Sequence, residues 1–116
     1  MVSLRLYMLQ RITALIMVPL VIGHIAMMIY AVQGGLSAGE ILARTTGSFA
    51  WAAFYGTFVI AVAMHAAIGL RVIAVETLNW PRQPGARTLL TILIFFVLAA
   101  LGLAAVAAVT APGLFV

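Results

Sequence analysis

Cysteine is absent from the 116-residue chain, which excludes disulfides, thiolate-ligated zinc and cysteine-held iron–sulfur clusters. Charge is scarce as well. Charged residues make up 7% of the sequence, against about 25% in soluble domains. Lysine and aspartate are missing, so the net charge of +4 comes from six arginines set against Glu40 and Glu76. Hydrophobic residues reach 66%, well above the soluble norm of about 45–50%. These proportions exclude a soluble globular domain and assign an all-α integral membrane protein. The positive charge then reports topology, not a nucleic-acid partner. No internal repeat, low-complexity tract or soluble domain interrupts residues 1–116, which read as a single transmembrane domain.

A hydrocarbon core of about 30 Å needs roughly 20 apolar residues in helical form. Three segments reach that length, at residues 12–32, 48–75 and 88–111. The first connection has two glycine-containing breaks flanking Leu36–Arg44, and the second carries Pro81, Pro84 and Gly85, which stop a helix. The N-terminal MVSLRLYMLQR has no small-residue cleavage site, so it reads as the start of a retained first helix and not a signal peptide. Arg5, Arg11, Arg71, Arg82 and Arg87 fall on one side of the spans and only Arg44 on the other. The positive-inside rule places the N-terminus in the cytoplasm and the C-terminus outside a bacterial-type inner membrane. Trp80 and Trp51 stand where interfacial aromatics are expected, though Trp51 serves equally as a packing residue.

Against this apolar background two imidazoles stand out, His24 in IMVPLVIGHIAMMIYAV and His65 in WAAFYGTFVIAVAMHAAIGL. An ionisable group at membrane depth is costly without a partner, which makes it a functional-site hypothesis. Neutral imidazole is also a common ligand for iron. Ala61, His65 and Gly69 are spaced four apart and share one helix face, leaving a recess in which a porphyrin would lie. Small residues also serve ordinary close helix packing. His24 follows Gly23, with Leu20, Met27 and Met28 around it; an interhelical hydrogen bond or a proton relay is its plainer role.

The histidines are expected at different depths. His24 lies 13 residues beyond Arg11, about 20 Å along a helix, whereas His65 lies six residues before Arg71, about 9 Å. Antiparallel helices then hold His65 nearer the cytoplasm and His24 nearer the outside, which argues against one haem bridged by both; each would then need a second axial ligand from elsewhere. Arg11 and Arg71 are either positive-inside anchors or partners of haem propionates, whose geometry suits guanidinium. Glu76, 11 residues after His65, returns to the same face, either as a solvated acid or beside a quinone head group or proton path.

The run His65-Ala-Ala-Ile-Gly69-Leu-Arg71 followed by Glu76 resembles the H-x-x-x-G-x-R…D/E signature of the cytochrome b membrane anchors of succinate dehydrogenase and fumarate reductase (respiratory complex II). Tyr7-Met-Leu-Gln-Arg11-Ile-Thr-Ala14 resembles the beginning of their first helix. The resemblance implies haem b on His65, a second, distal haem on His24, and quinone contacts from Tyr7, Arg11 and Glu76. It implies half of a six-helix bundle completed by a second three-helix anchor, which supplies the opposing histidines. It also implies an iron–sulfur subunit and a flavoprotein that carry the succinate–fumarate chemistry. Gln10 and Tyr7 depart from the histidine and serine that many such anchors place near the quinone. The alternatives are a haem-free structural or transport subunit, or the haem b anchor of another redox enzyme such as a hydrogenase or formate dehydrogenase.

Overall fold

A computed structural model describes residues 3–115; Met1, Val2 and Val116 lie outside the described residues. The elements run α1 (Leu4–Gly34), α2 (Ala38–Thr45), α3 (Phe49–Leu78), α4 (Pro84–Thr110) and a closing 3-10 turn (Pro112–Phe115), with no strand among the described residues. The helices α1, α3 and α4 are long and apolar enough to cross a membrane.

The first helix begins eight residues before the apolar span expected from composition. Residues 4–11 include arginine and glutamine, which lower hydropathy, but Leu, Arg, Met and Gln are good helix formers. The Ser3 side chain accepts a hydrogen bond from the Leu6 N–H and caps the start. At 31 residues the helix is about 46 Å long by the standard rise, more than a hydrocarbon core of about 30 Å needs. Pro19 lies inside it, as membrane helices tolerate. Asn79 ends α3 in the left-handed conformation with φ 49°, its N–H bonding back to Ala74 and Val75 carbonyls. Pro84 then opens α4, where its missing N–H costs nothing.

The segment Leu36–Arg44, read from its flanking glycines as a broken connection, contains a two-turn helix instead. Ser37 and Glu40 form a reciprocal capping box, the S-x-x-E signature that marks a helix start. Arg44 donates to the Gly35 carbonyl at 2.8 Å, fastening α2 to the end of α1. Thr45 Oγ1 donates to the Val109 carbonyl at 2.6 Å and the Gly47 N–H to the Thr110 carbonyl at 2.7 Å, fastening it to α4. The hydroxyl and backbone N–H of Ser37 hold the Glu40 carboxyl below its ordinary value of 4.5. A depressed carboxyl contributes stability that is present above its ordinary pKa and lost as pH falls through the lower folded value. Amide protection in α2, corrected for intrinsic exchange, is therefore expected to be constant near neutrality and to fall below pH 4.5. Glu40→Gln is expected to flatten that fall.

Packing centres on α3, which runs antiparallel to both α1 and α4 and makes the main contacts with each. The buried apolar residues are mostly small: Ala61, Ala63, Ala67 and Ala99, with Ile68 the largest fully buried side chain. Gly102 of α4 receives Val59 of α3, and Gly23 of α1 receives Phe54. Small residues let helix backbones approach where lipid removes any hydrophobic advantage of large ones. The large apolar side chains point outward, among them Leu15, Ile22, Val32, Phe96 and Leu101. Lipid or further helices must cover them.

Candidate cofactor-binding seam between α1 and α3

His65 turns into the α1–α3 seam. Its Nδ1 lies 3.2 Å from Thr13 Oγ1 and its Nε2 lies 3.4 Å from Gln10 Nε2. Gln10 and Thr13 are three residues apart and share the face of α1 that meets α3. The Thr13 hydroxyl is 2.9 Å from the Leu9 carbonyl and 3.0 Å from the Gln10 carbonyl, so its single proton is spent on its own helix. Thr13 Oγ1 therefore accepts from His65 Nδ1–H. The remaining ring nitrogen, Nε2, carries the lone pair and meets the Gln10 amide N–H. The Gln10 Oε1 is buried with no hydrogen-bond partner, an orphan acceptor beside the imidazole.

The recess formed by Ala61 and Gly69 is real but lies inside this seam. A Cβ on Gly69 would come 3.3 Å from Gln10 Nε2, so the missing side chain makes room for α1. The Gln10 amide thus occupies the space that the spacing of small residues suggested for a porphyrin. A groove of about 560 Å³ runs beside it, floored by Gly56, Ala61 and Met64 and walled by Ile12, Thr13 and Leu103. Its size falls within the range of ligand sites.

His24 faces α3 at another level. Its Nδ1 is 3.4 Å from the Tyr55 hydroxyl. The Tyr55 ring meets it edge-on at 5.7 Å and Phe58 tilts against it at 5.4 Å. Trp51 stacks on Tyr55 at 5.6 Å, with the planes 5° apart. Tyr55 and His65 are ten residues apart on one helix, so the imidazoles differ in level by about 15 Å. His65 lies toward the end carrying Arg5, Arg11, Arg71, Arg82 and Arg87, and His24 toward the Arg44 end. No three His, Cys, Asp or Glu side chains converge on a metal-sized point among the described residues. Each imidazole is thus a single donor.

The other expected site residues are distributed differently from the sequence expectation. Arg11 and Tyr7 do meet: the guanidinium donates to the Tyr7 hydroxyl at 2.9 Å, and both are exposed on α1. Arg71 turns away from His65. Six residues of helix rotate by about 240° beyond one full turn, which directs Arg71 to α4, where it donates to Thr88 Oγ1 at 3.4 Å. Glu76 is exposed and emerges past the start of α1, about 10 Å beyond Gly69 at the helical rise. The sequence reading missed Thr13, Tyr55 and Phe58. A lone threonine three residues after a glutamine in an apolar run was the available signal for Thr13.

The Nδ1 side of His65 suits an imidazole that would hold a haem iron, whereas its Nε2 side is covered by Gln10, which would have to move aside. A ligating histidine almost always donates its second ring N–H to a fixed acceptor, which sets the tautomer and aims the lone pair. Thr13 provides that acceptor, and the long contact to Gln10 is the one a metal bond would replace. A family model described as succinate dehydrogenase/fumarate reductase transmembrane subunit matches residues 2–108. No curated protein and no solved structure matches the chain.

Proposed function

Because the chain belongs to the family of succinate dehydrogenase and fumarate reductase transmembrane subunits, it works in a membrane complex with partner subunits, and we propose that it holds haem b and helps to bind quinone. The carrying observation is the His65 imidazole in the α1–α3 seam, whose Nδ1 lies 3.2 Å from Thr13 Oγ1 and whose Nε2 meets Gln10 only across 3.4 Å, the contact that a metal bond would have to displace. Haem b, when bound, supplies one-electron transfer between iron–sulfur centres and quinone. The residues that would hold the group are His65 at one level and His24 at the other, each giving one imidazole nitrogen. A second three-helix anchor supplies the opposing ligands in a six-helix bundle, where cofactor sites are built from facing helices. Flavin and iron–sulfur chemistry belongs to the soluble subunits. The arginine-rich end faces the cytoplasm by the positive-inside rule, so His65 stands on the side at which electrons arrive.

A pyridine haemochrome assay on the intact, purified complex tests this reading. The expected result is b-type haem, since no Cys-x-x-Cys-His attachment motif is present. Haem-free, fully active complex would reduce the histidines to packing or proton-relay groups, a role that the Gln10 contact also suits.

Arg11 and Tyr7 form the proposed quinone contact. The guanidinium is held by the Tyr7 hydroxyl and can stabilise negative charge growing on a quinone oxygen. A charge-assisted hydrogen bond contributes about 1.5 kcal/mol or more, so Arg11→Ala is expected to lower kcat/KM for a soluble quinone by roughly tenfold or more. Succinate oxidation by an artificial acceptor should remain unchanged. Equal quinone kinetics in the assembled variant would leave Arg11 as a head-group anchor.

A further inference from the structure

The aromatic side chains around His24 have no part in the haem and quinone reading. Trp51, Tyr55 and Phe58 of α3 are spaced four and three residues apart, so they share one side of the helix. Trp51 stacks on the Tyr55 ring at 5.6 Å, and Phe54 meets the same ring edge-on at 5.1 Å. The glycine that precedes His24 lets α1 come close to this face: a Cβ at Gly23 would lie 3.0 Å from Phe54 Cζ. Two aromatic neighbours thus hold the Tyr55 ring, and its polar tip is delivered to a fixed point.

That point is 3.4 Å from His24 Nδ1. The Tyr55 hydroxyl makes no other hydrogen bond among the described residues, and within a membrane span an unpaired hydroxyl is costly. Phe58 lies against the imidazole at 5.4 Å, tilted by 49°, and restricts its rotation. His24 Nε2 makes no hydrogen bond among the described residues, whereas the corresponding atom of His65 meets Gln10. The protonation of the ring then decides the direction of the Tyr55 contact. A neutral imidazole that gives its Nε2 lone pair to a metal carries its proton on Nδ1, so the Tyr55 oxygen is the acceptor. An acceptor there orients the ring and makes the ligating nitrogen more basic.

We propose that Tyr55 is the positioning residue of His24, its oxygen accepting the Nδ1–H and so presenting Nε2 to the haem at the Arg44 end. The inference rests on the reading of His24 as a haem ligand. Both levels then follow one rule, with a hydroxyl from the facing helix behind each imidazole: Thr13 of α1 for His65 of α3, and Tyr55 of α3 for His24 of α1.

The test is redox titration of the intact, purified complex, followed in the reduced-minus-oxidised spectrum, together with haem retention in competition with apomyoglobin. Tyr55→Phe keeps the ring and its stacking partners and removes only the oxygen. It should weaken retention of the haem at the Arg44 end by about 10- to 100-fold. It should also raise the midpoint potential of that haem, because a less basic imidazole stabilises ferric iron less. The component that depends on His65 should keep both its retention and its potential. Trp51→Phe, which leaves the hydroxyl and a stacking ring in place, should behave as the parent protein. Retention and potential unchanged in Tyr55→Phe, beside a His24→Ala complex that has lost one component, would overturn the inference and leave the haem reading standing. An equal change in Trp51→Phe would trace the effect to packing of the rings and also overturn it. If His24→Ala retained both components, the reading of His24 as a ligand would fall, and the role of Tyr55 with it.

Discussion

Replacement of His65 by alanine is expected to remove the haem at the arginine-rich end and leave the other in place. His24→Ala is expected to do the reverse. The two imidazoles are about 15 Å apart in level, and they share neither hydrogen-bond nor ring partners. Loss of an axial ligand removes the metal bond outright, so each variant should lose one component of the reduced-minus-oxidised spectrum completely. Thr13→Val should act more gently, weakening haem retention at His65 by about 10- to 100-fold, as loss of an outer hydrogen-bond partner does. It should also shift the midpoint potential of that haem, which a purely structural role would not. Loss of the same spectral component from both histidine variants would refute two separate sites. An unchanged spectrum in His65→Ala would refute ligation there.

The second large effect concerns assembly of the bundle. A Cβ at Gly102 would lie 2.5 Å from Val59 Cγ1 and 3.0 Å from Cγ2. Valine on a helix has one strongly preferred rotamer, so Val59 cannot turn aside and the α3 and α4 backbones would have to separate. Gly102→Val is expected to destabilise the chain by about 2 kcal/mol, since overpacking costs about 1–3 kcal/mol and the gain in helix propensity offsets less than 1 kcal/mol. Gly102→Ala adds the same Cβ and should also destabilise, but by less than valine, because it adds no further methyls and gains helix propensity. Unfolding in detergent with increasing dodecyl sulfate would measure both. Val59→Ala in the Gly102→Val background should recover most of the loss; failure to recover would show that the glycine serves backbone flexibility and not close approach.

The three spans and the two anomalous histidines were legible because lipid imposes severe rules on backbone and charge. A run of 20 apolar residues has few alternatives to a helix, and an imidazole within it is conspicuous. The difference in level between His24 and His65 followed from their distances to Arg11 and Arg71, which needed only the helical rise. Three features were harder to read. The helix at Ala38–Thr45 was hidden by glycines at its flanks, although Ser37 and Glu40 carried its capping signature. The turn of Arg71 toward α4 follows from its six-residue spacing from His65, but the H-x-x-x-G-x-R pattern invited grouping the two. The insertion of Gln10 and Thr13 against His65 depends on interhelical register. Small residues such as Gly69 and Gly23 set that register, and composition alone does not say which side chain fills the space they leave.

The hydrogen-bond and ring partners of both imidazoles lie on α1 and α3 alone. A nascent chain that has been threaded into the bilayer only as far as Leu78 already contains them. The helical hairpin around the histidines is thus complete in composition before translation reaches α4. The final helix is then a brace, added against α3 through the Gly102–Val59 contact.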